Sequence, residues 1–388
     1  MKIAWWVIVG VLLANVVVMA QSAKPERARN LGVPFDGTPG PLNAITDVKG
    51  VEVGQTTIIR GEGPLKVGEG PVRTGVTVVF PRGKVDPEPV YAGWFSQNGN
   101  GEMTGTTWVE ESGMLETPVA ITNTHSVGVV RDAEIAWGVK RGFVKNDDWS
   151  LPVVAETWDG WLNDINGFHV KPEHAVQALD GARGGAVEEG AVGGGTGMVC
   201  YGFKGGIGTA SRVLTKEQGG YTVGVLVQCN CGRRKQLMIA GVPVGKEIGE
   251  GVPYASNMPG SDERGDVGSI IIVVATDAPL LPHQLKRLAR RATMGLARTG
   301  STSGNGSGDI FIAFSTANEG ADKMPGPNKV EAMANDSLNP VFQATVEATE
   351  EAIVNAMVGA KTMTGIDGHI AIGLPHERVR ELMGKYGR

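Results

Sequence analysis

The hydrophobic pattern is sharpest at residues 269–274, Ser-Ile-Ile-Ile-Val-Val, where a β-branched run follows a single polar residue. Such a run predicts a strand covered on both faces. Shorter runs at 76–80, 89–95, 118–122, 221–227 and 310–314 predict further strands, ended by turn residues. Residues 151–155 form a short apolar run that enters Glu156-Thr157-Trp158-Asp159-Gly160. Helices are predicted around 133–140 and 174–180. Another is predicted from Leu281, where Leu285, Leu288 and Ala292 recur on one face while Lys286, Arg287, Arg290 and Arg291 fall mostly on the other. Residues 341–363 predict a long helix with Glu347, Glu350 and Glu351 pointing outward, and a basic helix at 377–385 closes the chain.

Between 233 and 266 the pattern fades into Pro243, Pro253, Pro259 and glycines, which predicts a loop or linker. Strands precede helices on each side of this stretch. That order fits one layered α/β domain with a shared core better than two separate domains.

Composition changes this picture in three places. The 58 glycines follow no G-X-Y period, so they signal tight turns and close backbone approaches rather than collagen. A net charge of −5 without a long Lys/Arg run argues against nucleic acid as a partner. Met1-Lys2, an apolar stretch over residues 3–20 and the small-residue end at Ala20 have the layout of a secretory signal peptide, with Ala23 as a second cleavage point. The expected location is therefore the periplasm or the exterior. The rival reading is a membrane anchor, because the run approaches spanning length.

The candidate chemistry narrows by elimination. The six histidines form no HExxH pair, and there is no CxxC, so no metal or organic cofactor is expected. Gly193-Gly194-Gly195-Thr196-Gly197 lacks the GK[ST] of a phosphate loop and reads as turns and close packing. Gly304-Asn305-Gly306-Ser307-Gly308 does not match the Gly-x-Ser-x-Gly elbow, and its serine precedes a strand. Cys200, Cys229 and Cys231 allow one bridge from Cys200 to either partner, with buried thiols as the plainer expectation. What remains is Gly268-Ser269, set between the linker and the strongest strand. Ser269 could attack the carbonyl of Gly268, and hydrolysis of the ester would free its α-amine. With a pKa of about 8, that amine can take the proton of its own hydroxyl.

Several long motifs sharpen this reading: residues 98–105 (NGNGEMTG), 122–130 (TNTHSVGVV), 156–169 (ETWDGWLNDINGFH), 194–212, 269–281 and 304–318. Together they resemble the L-aminopeptidase/D-esterase family, which includes the β-peptidyl aminopeptidases. The resemblance spans about residues 32–384. It implies an αββα sandwich like that of N-terminal-nucleophile hydrolases with different connectivity. It further implies self-cleavage into residues 21–268 and 269–388, and a homo-oligomer. The substrates would be short peptides, amides or esters with a free amine. By resemblance, Ser269 is nucleophile and base, Ser307 and Asp309 orient it, Asn230 donates to the oxyanion and Glu156 grips the substrate ammonium. Trp158 stands where the family often has tyrosine, and would wall the pocket instead. An acyltransferase of a related self-cleaving fold and an inactive periplasmic binding protein are the alternative readings.

Overall fold

The computed structural model describes residues 26–85, 88–252, 268–320 and 326–388. The signal-peptide segment and residues 253–267 of the predicted linker lie outside them.

The described chain forms two facing sheets with helices on both outer sides. The first sheet contains β1 (Glu52–Arg60), β2 (Val72–Phe80), β5 (Val119–Asn123) and β6 (Val153–Thr157), in that order. The second has the order β4-β3-β12-β11-β10-β9. Its strands are β3 (Val90–Gly99), β4 (Met114–Leu115), β9 (Gly206–Val213), β10 (Thr222–Asn230), β11 (Ser269–Thr276) and β12 (Gly308–Ser315). A short hairpin, β7 (Val199–Cys200) and β8 (Phe203–Lys204), leads into β9. Helices α2 (Val127–Arg141) and α3 (Pro172–Gly181) cover the first sheet, and α5 (Pro282–Arg298) and α6 (Asn339–Val358) cover the second. The short α1 (Thr106–Ser112) and α4 (Val244–Glu247) lie in connections, and α7 (His376–Lys385) ends the chain.

Alternation along the strands builds three apolar layers. Ile271, Val273 and Ala275 of β11 face the other sheet, while Ile270, Ile272 and Val274 face the helices. A strand buried on both sides needs no polar alternation, which is why its run is continuous. The third layer packs Val76, Val78 and Val154 against Val130, Trp137 and Leu179 of α2 and α3. Gly194 shows how tightly the 193–195 turn enters this frame. A Cβ there would meet Gln228 Oε1 at 2.2 Å and Ile121 O at 2.6 Å, so close packing requires glycine at this position.

The prediction for α6 needs correction. Glu347, Glu350 and Glu351 are buried rather than outward. The helix is enclosed by β9 and β10, by α5 and by the turn at Ala28–Leu31, so it has no fully solvated face. Arg212 and Arg29 each approach Glu351 at 2.8 Å, and Arg298 pairs with Glu350 at 3.0 Å, which compensates the buried charges. The cysteine expectation also changes. Cys200 and Cys229 are bridged, and the Cys231 sulfur lies 3.8 Å from that of Cys229.

Candidate active site

Ser269 is the first residue of β11 and shares the inter-sheet face of Ile271 and Val273, at 5% exposure. Antiparallel β10 sets Asn230 opposite Ser269, and parallel β12 sets Gly308 opposite it from the other side. Sheet register thus gathers three distant segments at one end of the second sheet. Gly308 N–H donates to Ser269 Oγ at 3.2 Å and to Gly268 O at 3.3 Å. One backbone donor therefore serves both the Ser269 hydroxyl and the Gly268 carbonyl. A Cβ on Gly268 would lie 2.4 Å from Asn230 O, so the junction requires glycine on steric grounds.

Asn230 is held by its acceptor end. Val199 N–H donates to its Oδ1 at 2.8 Å, so the NH₂ is what the side chain can offer a substrate. The carbonyl of that same peptide unit, Met198 O, accepts from Lys204 Nζ at 2.8 Å. The Lys204 ammonium is completely buried and also donates to Gly205 O at 2.8 Å. Burial lowers its pKa to about 7, with the Asp159 carboxylate acting in the opposite direction. Asp159 is itself pushed up to about 6 by burial, against hydrogen bonds that include Asn123 Nδ2 at 3.0 Å and Asn163 Nδ2 at 3.1 Å. Lys204 thus holds the peptide that holds Asn230.

Ser307 and Asp309 are fully buried, and the Ser307 hydroxyl donates to Asp309 Oδ1 at 2.6 Å. Asp309 lies in register with Ile270, one residue beyond Ser269, and a bulge in the pairing with β3 adjoins it. The pair therefore stands beside the Ser269 backbone, while the Ser269 hydroxyl is met by Gly308 N–H. The NGNG segment is explained here. Asn98 Nδ2 donates to Ser307 O, and Asn100 N–H reaches the same oxygen at 3.2 Å.

Glu156, on β6, is 3% exposed. Its Oε1 accepts Glu102 N–H at 3.0 Å and its Oε2 accepts the Thr124 hydroxyl. Burial raises its pKa, opposed by these two bonds and by His125. Gly101 stands between Glu156 and β12. A Cβ there would lie 3.2 Å from Glu156 Oε1 and 3.1 Å from Gly308 Cα, so the carboxylate sits close to the Ser269 end of the sheet. Trp158 is 38% exposed and covers Gly160, whereas Phe168 is exposed and stacks on His125 at 5.9 Å.

Sequence reasoning did not single out Gly308, Thr124 or Lys204. The first acts through its backbone, which leaves no side-chain signal. Lys204 was visible only as an isolated lysine within the 194–212 motif. Among the described residues, the one group of side chains close enough to hold a metal is Cys200, Cys229 and Cys231, and a disulfide already joins two of these.

Comparison with known proteins gives a consistent picture. The model of peptidase family S58 matches residues 43–371. The chain is 56% identical over 98% of its length, and 97% of the relative's, to the beta-peptidyl aminopeptidase BapA of Sphingosinicella microcystinivorans. It is 48% identical to the BapA of Sphingosinicella xenopeptidilytica, over 96% of this chain and 94% of that one. Among solved structures it resembles the L-aminopeptidase D-Ala-esterase/amidase of Ochrobactrum anthropi, described as a variant of the Ntn hydrolase fold. The TM-score is 0.85 at 49% identity, covering 93% of this chain and 99% of that one.

Proposed function

This chain belongs to peptidase family S58, and on that premise we propose that it is a self-cleaving serine aminopeptidase whose nucleophile is Ser269. The observation that carries this reading is the Gly308 N–H, within hydrogen-bond reach of both Ser269 Oγ and Gly268 O. Attack of Oγ on the Gly268 carbonyl forms an ester and releases the Ser269 amine. Water then hydrolyses the ester, leaving residues up to 268 as one subunit and residues 269–388 as the other.

The vacated carbonyl position becomes the seat of the substrate carbonyl. Ser269 attacks it while its own α-amine takes the hydroxyl proton. Gly308 N–H and the Asn230 NH₂ donate to the developing oxyanion, and the Ser307–Asp309 pair fixes the backbone around the amine. Glu156 binds the substrate's free ammonium, so the enzyme releases one N-terminal residue at a time. An amine-blocked substrate would leave that carboxylate buried and unpaired. Trp158 and the His125–Phe168 stack wall the residue being released. Short peptides, amides and esters are the substrates of this reading. β-Amino-acid termini are included, because two relatives aligned over nearly the whole chain are beta-peptidyl aminopeptidases. Export through the signal peptide and assembly into a homo-oligomer complete the proposal.

Intact-mass spectrometry of the wild type beside Ser269→Ala tests it. The expected result is two chains in the wild type, the smaller starting at Ser269, and one inactive chain in the variant. An uncut wild type that still hydrolyses amino-acid anilides would remove Ser269 from its N-terminal role.

A further inference from the structure

A cavity of about 360 Å³ opens on the outer layer, between α2, the loop that follows it and the turn before β5. It lies on the helix side of the first sheet, whereas Ser269 faces the space between the sheets. Glu134 of α2 reaches it at 4% exposure, and neither carboxylate oxygen has a hydrogen-bond partner among the described residues. The neighbouring Thr117 hydroxyl is turned to Pro118 O at 3.0 Å. Buried polar groups are almost always paired, so an orphaned carboxylate at a cavity wall calls for an explanation.

The rest of the lining has one electrical character. Glu116 and Asp148 add two acids, no lysine or arginine lines the cavity, and Trp137, Phe143 and Trp149 supply aromatic walls. Trp149 is 70% exposed, more surface than core packing explains. Arg141 is committed elsewhere, 2.6 Å from Asp180 and over the Trp137 ring at 4.5 Å. Arg131, on the same helix as Glu134, is the one base whose charge reaches it, and it stays outside the lining, 3.4 Å from Asp132. Acids with aromatic walls and no base in the lining are the chemistry that recognises an organic cation.

We propose that this cavity is a second ligand site, for a small primary ammonium on an apolar body, with Glu134 as its counter-ion and Trp149 as its lid-side wall. The site is independent of the peptidase reading. Burial raises the Glu134 pKa well above the ordinary glutamate range, against the neighbouring Thr117 hydroxyl and the charge of Arg131. Binding of an ammonium ionises the carboxyl and releases its proton to solvent.

The test is calorimetric titration of the full-length protein with phenethylammonium, in two buffers of different ionisation enthalpy, beside phenethyl alcohol as the neutral control. Glu156→Gln serves as the background, so that amine binding at the peptidase site does not contribute. Saturable binding accompanied by proton release is expected there, at least tenfold weaker in Glu134→Gln, weakened also in Trp149→Ala, and absent for the alcohol. Trp149 is exposed, so its variant keeps the test valid should Glu134→Gln fold poorly. The proposal is overturned by equal binding of the alcohol or by affinity indifferent to both variants. It is equally overturned by a lack of saturation at millimolar ligand.

Discussion

Glu156 and Glu134 belong to the same half of the molecule, are 3% and 4% exposed, and burial raises the pKa of both. Their surroundings differ completely. Glu156 accepts Glu102 N–H on one oxygen and the Thr124 hydroxyl on the other, whereas among the described residues neither Glu134 oxygen has a partner at hydrogen-bond distance, and only the nearby Thr117 hydroxyl and Arg131 charge oppose its burial. Bonds to the charged form offset desolvation and hold a carboxylate ready to receive a cation. Without them the same burial favours the neutral acid, which ionises only when a cation arrives. Under the two proposals, the contrast separates a site prepared for turnover from one that responds to a ligand.

The strongest way to break this comparison is Glu156→Gln. Removing the ammonium's counter-charge should lower kcat/KM for amino-acid anilides by roughly two to three orders of magnitude, with the fold intact by circular dichroism. A loss below about tenfold would take Glu156 out of the amine site. In the wild type the acid limb of kcat/KM should lie above the ordinary glutamate value of 4.5, activity rising as Glu156 ionises, and this limb should vanish in Glu156→Gln.

Next in size is Asn230, the proposed oxyanion donor. Asn230→Ala should reduce kcat by about 10²–10³-fold at nearly constant KM. Lys204→Met should reduce it less, because it acts through the 198–199 peptide. The double variant should be no slower than Asn230→Ala alone; full additivity in single-turnover rates would disconnect the two residues.

The smallest effect on catalysis belongs to Glu134→Gln, which should leave anilide hydrolysis unchanged. It should instead alter stability. The folded chain keeps a proton on Glu134 that the unfolded chain loses near pH 4.5, so stability falls as pH rises from there toward the elevated folded value. Glutamine removes that slope. Thermal melts across this range should show the variant gaining a few degrees at the alkaline end and nothing at the acid end. Parallel curves would mean that Glu134 is ionised and paired in the native protein.

Much of the fold was legible because its signals are local. The run at β11 and the leucine spacing of α5 each specify an element within a few residues. β1 was missed because half of Glu-Val-Gly-Gln-Thr-Thr-Ile-Ile-Arg is polar, as suits an edge strand. β9 was missed because its glycines read as turns; a Cβ on Gly208 would meet Ala352 O at 2.0 Å, so they admit α6 instead. The glutamates of α6 were placed outward because an isolated helix shows its charges to water, and only packing revealed Arg29 and Arg212 beside them.

The sequence by itself determined the central strand, the serine at its head, the glycine before it and the motifs that carry the family likeness. Tertiary structure alone decided which groups meet there. Register set Asn230 and Gly308 on either side of Ser269, and a single peptide linked Lys204 to Asn230. It also left the Glu134 oxygens without a hydrogen-bond partner among the described residues while providing two for Glu156. The reason is physical. Strand and helix formation depend on neighbours a few residues away, but hydrogen bonds and burial depend on groups that only folding brings together.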